Sequence, residues 1–507
     1  MAAIALAAAL LMRSQDAPRN VLIITIDTLR ADAPNEADTP ALMELARRGT
    51  RFVSARTPVP LTLPAHASLL TGSDPRRHGL RTNTAPALTA HSIAEDFFDA
   101  GYSTAAFVAS SVLHERYRLN AGFQHYEGPP LPTRGSPTFR TIDAIEQVRR
   151  FRSWMKARRK DRPYFAWVHL WEPHAPYREY AGDGRRAGTS AETDSPRQLY
   201  AGEVRKADWA VEQLLGEIDP ETTIVFVTSD HGESFGEHGE STHGHLCFGA
   251  TMDIPMILAG PGVASGETEE RVCDLTDVAP TLRALCGVGG ERGGGGSKGL
   301  LDLPDKRVVI GESLYSYGKY RWAQQTVAYD GTHSLVDGGP DYELYDRASD
   351  PGETRPLVDD FNTRQVRMDL DRALVDYRAE APAGERTPYS STGSPYGTVV
   401  VDGFGFSKPK ENRARPSVRA RLGATEPIMT LLNTAIVARH RALAEKVLKL
   451  VKGLEAMDPG NPALALARGR ALLLVLGRKH EALEAFQAAI ARGYPRRNLQ
   501  GLIDRCK

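Results

Sequence analysis

The feature that most constrains this chain is a pair of uninterrupted apolar runs, each ending in an aspartate. Residues 21–27 read Val-Leu-Ile-Ile-Thr-Ile-Asp, and residues 224–230 read Ile-Val-Phe-Val-Thr-Ser-Asp. A strand with no polar alternation has no face for water, so it suits a parallel sheet covered by helices on both sides. A third run, Tyr164-Phe-Ala-Trp-Val-His-Leu170, has the same character. Between the runs lie helix-like stretches: residues 39–49, with a Thr-Pro start and a glycine stop, and residues 92–101. Strands alternating with helices predict an α/β fold with a doubly wound, mostly parallel sheet. Ligands of such sheets sit at the carboxyl ends of the strands, which places Asp27 and Asp230 on one edge.

The 507 residues include 63 basic and 63 acidic side chains, a formal charge of zero. That balance argues against bulk electrostatic capture of nucleic acid or anionic membrane. A hydrophobic content of 41% supplies a large core and excludes intrinsic disorder. Four cysteines (Cys247, Cys273, Cys286, Cys506), with no Cys-x-x-Cys pair, make neither a disulfide framework nor a zinc ribbon. The apolar run at 2–12 is too short to span a bilayer but suits the hydrophobic region of a signal peptide. Residues 1–19 are therefore read as a leader: periplasmic or secreted if it is a signal peptide, cytoplasmic otherwise.

Three clusters can carry chemistry. The first is residues 57–72, where a proline-rich approach leads through Thr62, Pro64 and His66 into an apolar helical run. A hydroxyl at such a junction can cap the helix, attack an oxyanion bound at the helix start, or do both. The second, residues 229–245, packs Asp230, Glu233, Glu237 and Glu240 among His231, His238, His243 and His245, directly after a buried strand. Carboxylates and imidazoles at this density predict a divalent-cation site, although not all of them can be ligands. The third is His169-Leu-Trp-Glu-Pro-His-Ala-Pro-Tyr177, where prolines stiffen the backbone around His174.

Beyond the core the chain changes character. Residues 287–299 are glycine-rich without a phosphate-loop ending and read as a surface excursion. Residues 307–312 and 342–345 read as short strands. Residues 381–424 are rich in Pro, Gly and Ser, with Lys408, Lys410, Arg413, Arg415, Arg419 and Arg421 interleaved, and read as a solvated linker rather than a nucleic-acid arm. From Glu426 the composition is strongly helical. Residues 461–477 and 478–493 form a helical pair with Ala482, Phe486 and Ala489 on one face, which looks like a tetratricopeptide repeat with a less regular predecessor at 428–458.

A larger pattern is carried by motifs in order: Asp27-Thr-Leu-Arg-Ala-Asp32, Thr39-Pro40, Gly49-x-Arg-Phe52, residues 62–72, Arg77-His-Gly79, Gly101-Tyr-x-Thr104, Pro173-His174, Ser229-Asp-His-Gly232, Pro255 with Gly260-Pro-Gly262, Asp277-x-Ala-Pro-Thr281 and Glu343-Leu-Tyr-Asp346. Together they resemble the sulfatase family of the alkaline-phosphatase superfamily, over residues 20–380. The resemblance implies that Asp27, Asp230 and His231 bind a divalent metal and that Thr62 is both nucleophile and metal neighbour. It also implies that His174 and a residue near His243 contact the ester oxygens or a second metal; His174, His243 or His245 could protonate the leaving alcohol or orient water, and His66 joins Thr62, His174 and His243 as a catalytic candidate. A cation there neutralises the anionic ester and lowers the pKa of the hydroxyl, while a histidine protonates the leaving alcohol.

Three positions depart from the family. Sulfatases carry a Cys or Ser that becomes formylglycine in a Cys-x-Pro-Ser-Arg motif; here the residues are Thr62-Leu-Pro-Ala-His66, and threonine cannot make the aldehyde. The second of two adjacent metal-binding aspartates is Thr28, and residues 107–112 replace a Gly-Lys-x-His segment. A threonine with an Asp-His pair resembles the phosphodiesterase and phosphotransferase branch. The aspartate of a second metal site falls at Leu170, so two metals require Glu172 to substitute.

The expectation is a metal-dependent hydrolase of phosphate or sulfate esters, phosphate favoured, using one divalent ion (Zn, Mn or Ca) or two. Its substrate is a small-molecule, glycan or lipid ester. Its domains are a leader (1–19), a catalytic domain (20–380), a linker (381–424) and a helical tail (425–507) that binds a protein partner or a second copy. The rival is a decayed enzyme domain serving as a binding protein whose tail recruits the partner.

Overall fold

A computed structural model of the chain describes residues 19–35, 38–84, 86–131, 140–177, 195–289, 299–358, 361–379, 416–494 and 496–507. The leader reading, most of the glycine-rich stretch and the linker as far as Arg415 lie outside the described residues.

Fourteen strands are described: β1 (Asn20–Ile26), β2 (Gly49–Phe52), β3 (Ala55–Arg56), β4 (Ser103–Phe107), β5 (His125–Glu127), β6 (Tyr164–Leu170), β7 (Thr223–Ser229), β8 (Met256–Ala259), β9 (Glu267–Glu269), β10 (Cys273–Asp274), β11 (Val309–Ser313), β12 (Gln325–Tyr329), β13 (His333–Gly338) and β14 (Asp341–Asp346). The main sheet has the order β5-β4-β6-β1-β7-β8-β2-β9. All its pairings are parallel except those of β8, which runs against both neighbours.

The three apolar runs are the three central strands β6, β1 and β7, and every residue of β6 and β7 is buried. Alternate residues of β1 serve two cores. Val21 and Ile23 pack with the helices Thr62–Thr71, Ile93–Asp99 and Val278–Cys286; Leu22, Ile24 and Ile26 pack with Pro40–Arg47, Ala144–Ala157 and Pro196–Leu215. Burial on both faces is thus the cause of the unbroken apolar pattern.

Strands β11 to β14 form a second, antiparallel sheet, with the helix Phe361–Ala379 against it. The expected short strands are β11 and β14. The four cysteines are unpaired.

The tail is a run of helices, Arg419–Ala438, Arg441–Met457, Pro462–Ala471, Lys479–Ala491 and Arg496–Cys506. Ala482, Phe486 and Ala489 are all buried, and Gly469 lies so close to Phe486 that a Cβ there would meet its ring at 2.4 Å. The first of these helices begins inside the stretch read as solvated linker. Arg419 pairs with Glu343 at 2.8 Å, and Arg421 lies 3.8 Å from Asp458. The tail is seated on the sheet-bearing part of the chain: Glu426 accepts from Tyr320 Oη at 2.7 Å and lies 3.2 Å from His245 Nε2 and 3.4 Å from Lys319 Nζ, while Trp322 Nε1 donates to Asp458 at 2.8 Å.

Candidate active site

The parallel pairing of β1 with β7 sets Ile26 opposite Ser229, so the next residue of each strand, Asp27 and Asp230, emerges side by side. Both are fully buried. Asp230 Oδ1 accepts the backbone N–H groups of Thr28 (3.2 Å) and His231 (2.9 Å). Asp230 Oδ2 and both carboxylate oxygens of Asp27 have no hydrogen-bond partner. Burial and the neighbouring Asp230 raise Asp27 well above the usual carboxylate range, while nearby imidazoles outweigh burial to hold Asp230 low. Two carboxylates in a dry site demand a proton or a cation between them.

His231 completes the set. Its Nδ1 lies 2.9 Å from the Gly232 carbonyl, which can only accept, so Nδ1 carries the proton and Nε2 is an open lone pair. That Nε2 lies 3.4 Å from Asp230 Oδ2, 4.0 Å from Asp27 Oδ1 and 3.4 Å from Thr62 Oγ1. One ligand atom from each of Asp27, Asp230 and His231 falls within 4.8 Å of the others. Orphaned buried oxygens, an open imidazole nitrogen and a hydroxyl make a donor set that fits a divalent cation. Gly232 is required by packing, since a Cβ there would lie 2.2 Å from the Ala250 carbonyl oxygen.

Thr62 is the first residue of its helix, and the cap position belongs to Leu61, in extended backbone. The hydroxyl is therefore spared from capping. The first free N–H of the helix, that of Leu63, is taken by Asn83 Oδ1 at 2.9 Å. All ten residues of this helix are buried, which fixes Thr62 against the sheet.

His174 and His243 reach the same place from other elements. Their rings lie 5.1 Å apart, and His243 is 4.3 Å from His231. Burial lowers His174 to about 3 and His243 to about 4, so both are neutral at pH 7. His243 Nδ1 is 2.9 Å from Glu233 Oε1, and Tyr177 Oη donates to Glu233 Oε2 at 2.8 Å. Burial pushes the Glu233 carboxyl up, and His174 and the Tyr177 hydroxyl pull it back.

Other expected residues stand elsewhere. His66 Nδ1 donates to the Thr62 carbonyl at 2.7 Å, and its Nε2 accepts from Thr25 Oγ1 at 2.9 Å, whose oxygen accepts Trp167 Nε1–H at 2.9 Å. With both nitrogens spent, His66 ties the Thr62 helix to β1, away from the place where an ester would be held. His245 turns away to Ser316 (2.7 Å) and Glu426. Glu237 pairs with Arg30 at 3.0 Å, His238 stacks on Phe248, and Glu240 accepts the His245 N–H. Glu172 offers nothing to a second metal, because Lys206 Nζ sits 2.7 Å from it in a site where both side chains are almost completely buried.

Two residues had no assigned place. Asn83 carries no sequence signal. His169 does: with Thr25, its partner in register, it is a polar residue inside a buried strand. Its Nδ1 accepts the Ala109 N–H at 3.1 Å, so its Nε2–H points at Asp27 Oδ2, 3.4 Å away. Thr28 adds strain, being a buried β-branched residue at φ 58°.

The family profile described as Sulfatase matches residues 19–288, just over half of the chain. An uncharacterized sulfatase, YidJ, of Escherichia coli K12 is 25% identical over 67% of this chain and 82% of its own. The crystal structure of a phosphonate monoester hydrolase of Agrobacterium radiobacter superposes with a TM-score of 0.54 at 19% identity, covering 72% of this chain and 96% of that one. A structure solved with its substrate D-glucosamine-2-N,6-O-disulfate gives a TM-score of 0.59 at 16% identity, over 73% and 99%. With its fold, its motifs and its family match in agreement, this chain is an ester hydrolase of the sulfatase family.

Proposed function

We propose that the protein is a metal-dependent hydrolase of monoanionic esters, phosphodiesters or sulfate monoesters, that uses Thr62 as its nucleophile. The observation that carries this reading is the Thr62 hydroxyl, free of capping and 3.4 Å from the open Nε2 of His231, beside two carboxylates with unpartnered oxygens. Asp27, Asp230, His231 and Thr62 would hold one divalent cation, zinc or manganese before calcium on the chemistry of an imidazole-containing set. Such an ion supplies charge neutralisation of the ester and a lower pKa for the hydroxyl.

The chain's own groups do the rest. Thr62 Oγ1 attacks phosphorus or sulfur, and the leaving alcohol departs on the side of His174 and His243. Water then attacks the Thr62 ester and restores the hydroxyl. Charge favours a monoanion over a dianion: among the described residues, the groups acting most on Asp27, Asp230, His174 and His243 are carboxylates and imidazoles. Phosphodiesters come before sulfate esters because threonine cannot supply the aldehyde hydrate of formylglycine chemistry. The phosphonate-cleaving and sulfated-sugar neighbours bracket this choice. The tail, read as a tetratricopeptide-like pair, acts as a buttress of the enzyme, since its first helix is already seated there.

The test compares wild type with Thr62→Ala for metal content and for turnover of aryl phosphodiesters and aryl sulfates. The expected result is retained metal with turnover reduced at least about a thousandfold, the scale of losing a nucleophile that acts with its partners. Unchanged turnover discards Thr62. Retained metal with no turnover of any ester by wild type favours a binding protein.

A further inference from the structure

We propose that Glu233 is a positioning residue for His243, forming a carboxylate–imidazole dyad that aims His243 Nε2 at the leaving-group oxygen. The inference rests on the ester-hydrolase reading and deepens it. Glu233 is fully buried in a loop whose other carboxylates have different partners, with Glu237 on Arg30 and Glu240 on the His245 backbone. Its two oxygens are divided: Oε1 faces His243 Nδ1 at 2.9 Å, and Oε2 accepts Tyr177 Oη at 2.8 Å. The Tyr177 bond fixes the carboxylate, which in turn fixes the ring with Nδ1 protonated and leaves Nε2 as the working nitrogen. His243 is slightly exposed where Glu233 is not, and its ring stands between those of His174 and His231. A fixed carboxylate behind an imidazole selects the tautomer and stabilises the positive ring when the far nitrogen carries a proton.

The proton count closes. With Nδ1 held by Glu233, the neutral ring takes a proton from solvent at Nε2 and, when the ester's P–O or S–O bond breaks, passes it to the alcohol oxygen, which keeps the bond's electron pair. The neutral ring then takes a proton from the water that attacks the Thr62 ester and gives it up to solvent, which returns it to its resting state. Thr62 loses its own proton to solvent on attack and regains one when its ester is hydrolysed.

The test is a series of methyl phosphodiesters and sulfate monoesters whose leaving groups run from nitrophenol to an aliphatic alcohol. Metal-loaded wild type, His243→Ala, Glu233→Gln and the double variant are compared by kcat/KM. A general acid is worth about 10²–10⁴-fold where the leaving group is poor and little where it is good. Both single variants are therefore expected to lose about that factor on alkyl esters and less than about tenfold on nitrophenyl esters. The double variant should be no worse than His243→Ala, as for groups acting as a unit. A Glu233→Gln loss that is equal across the series, or that adds in full to the His243→Ala loss, overturns the dyad. If Glu233→Gln does not fold, Glu233→Asp is read instead: an intermediate dependence supports the dyad, and a uniform loss overturns it.

A second readout needs no turnover. The His243 Nδ1–H proton resonance, identified by its disappearance in His243→Ala, should shift in the Glu233 variant, and an unshifted resonance overturns the proposal. A wild type that hydrolyses no ester contradicts the hydrolase reading, and this resonance still decides the dyad.

Discussion

Asp27 illustrates how a single residue can be costly to the fold and useful to the site. Both its oxygens are buried without partners, and it faces a second carboxylate at the end of the next strand. Asp27→Asn removes one of the two repelling charges. The metal-chelated variant is expected to melt higher than chelated wild type, by the equivalent of about 1–3 kcal/mol, the scale of one unsatisfied buried group. Wild type should rise on adding zinc or manganese while the variant barely responds. Scanning calorimetry with and without chelator checks both arms, and a variant that melts lower in chelator contradicts the repulsion.

At this scale the sequence is legible where a residue sits at a forced place. Asp27 and Asp230 end apolar runs, and Thr62 starts a helix after a proline-rich approach. It is less legible where rotation decides. His66 lies four residues after Thr62 on the same helix, and that spacing delivers its Nδ1 to the Thr62 carbonyl rather than to the site. His245 is two residues beyond His243, and its ring points the opposite way, into the tail. Asn83 is an ordinary polar residue in a loop until the fold closes it over Leu63.

Among the elements, β1, β6 and β7 declare themselves because burial on both faces leaves no room for polar residues. The antiparallel β8 does not, since its short apolar run carries no sign of direction. The helix Arg419–Ala438 is hidden for another reason: its order comes from distant partners, Glu343 and Glu426's neighbours, while its local composition is basic with a proline inside. Glu426 offers the measurement at this scale. Burial raises its carboxyl, but the Lys319 ammonium and His245 outweigh that and hold it far below the usual range. A carboxylate depressed in the folded state stabilises above its unfolded pKa near 4.3, and that gain is lost as pH falls toward the folded value. Glu426→Gln is therefore expected to lose about 3–5 kcal/mol at pH 7, as for one partner removed from a buried charge cluster. The difference from wild type should shrink below about pH 4. Thermal melts at pH 7 and pH 3.5 test this, and an equal loss at both contradicts the ionic clasp.

Across the whole molecule, strands about two hundred residues apart in sequence meet in register, and the Thr62 helix, the loop after β6 and the loop after β7 converge on their carboxyl ends. The tail covers part of the same framework, so one structure holds both the reacting groups and their support. In the proposed reaction Thr62 bonds covalently to the transferred group. This bond is tested most directly by mixing metal-loaded protein with an aryl phosphodiester or aryl sulfate, quenching in acid within a turnover, and locating the adduct by peptide mass spectrometry. A phosphoryl or sulfuryl group is expected on the peptide at Thr62, absent from Thr62→Ala. Turnover with no adduct there, or an adduct on another residue, would contradict that reaction.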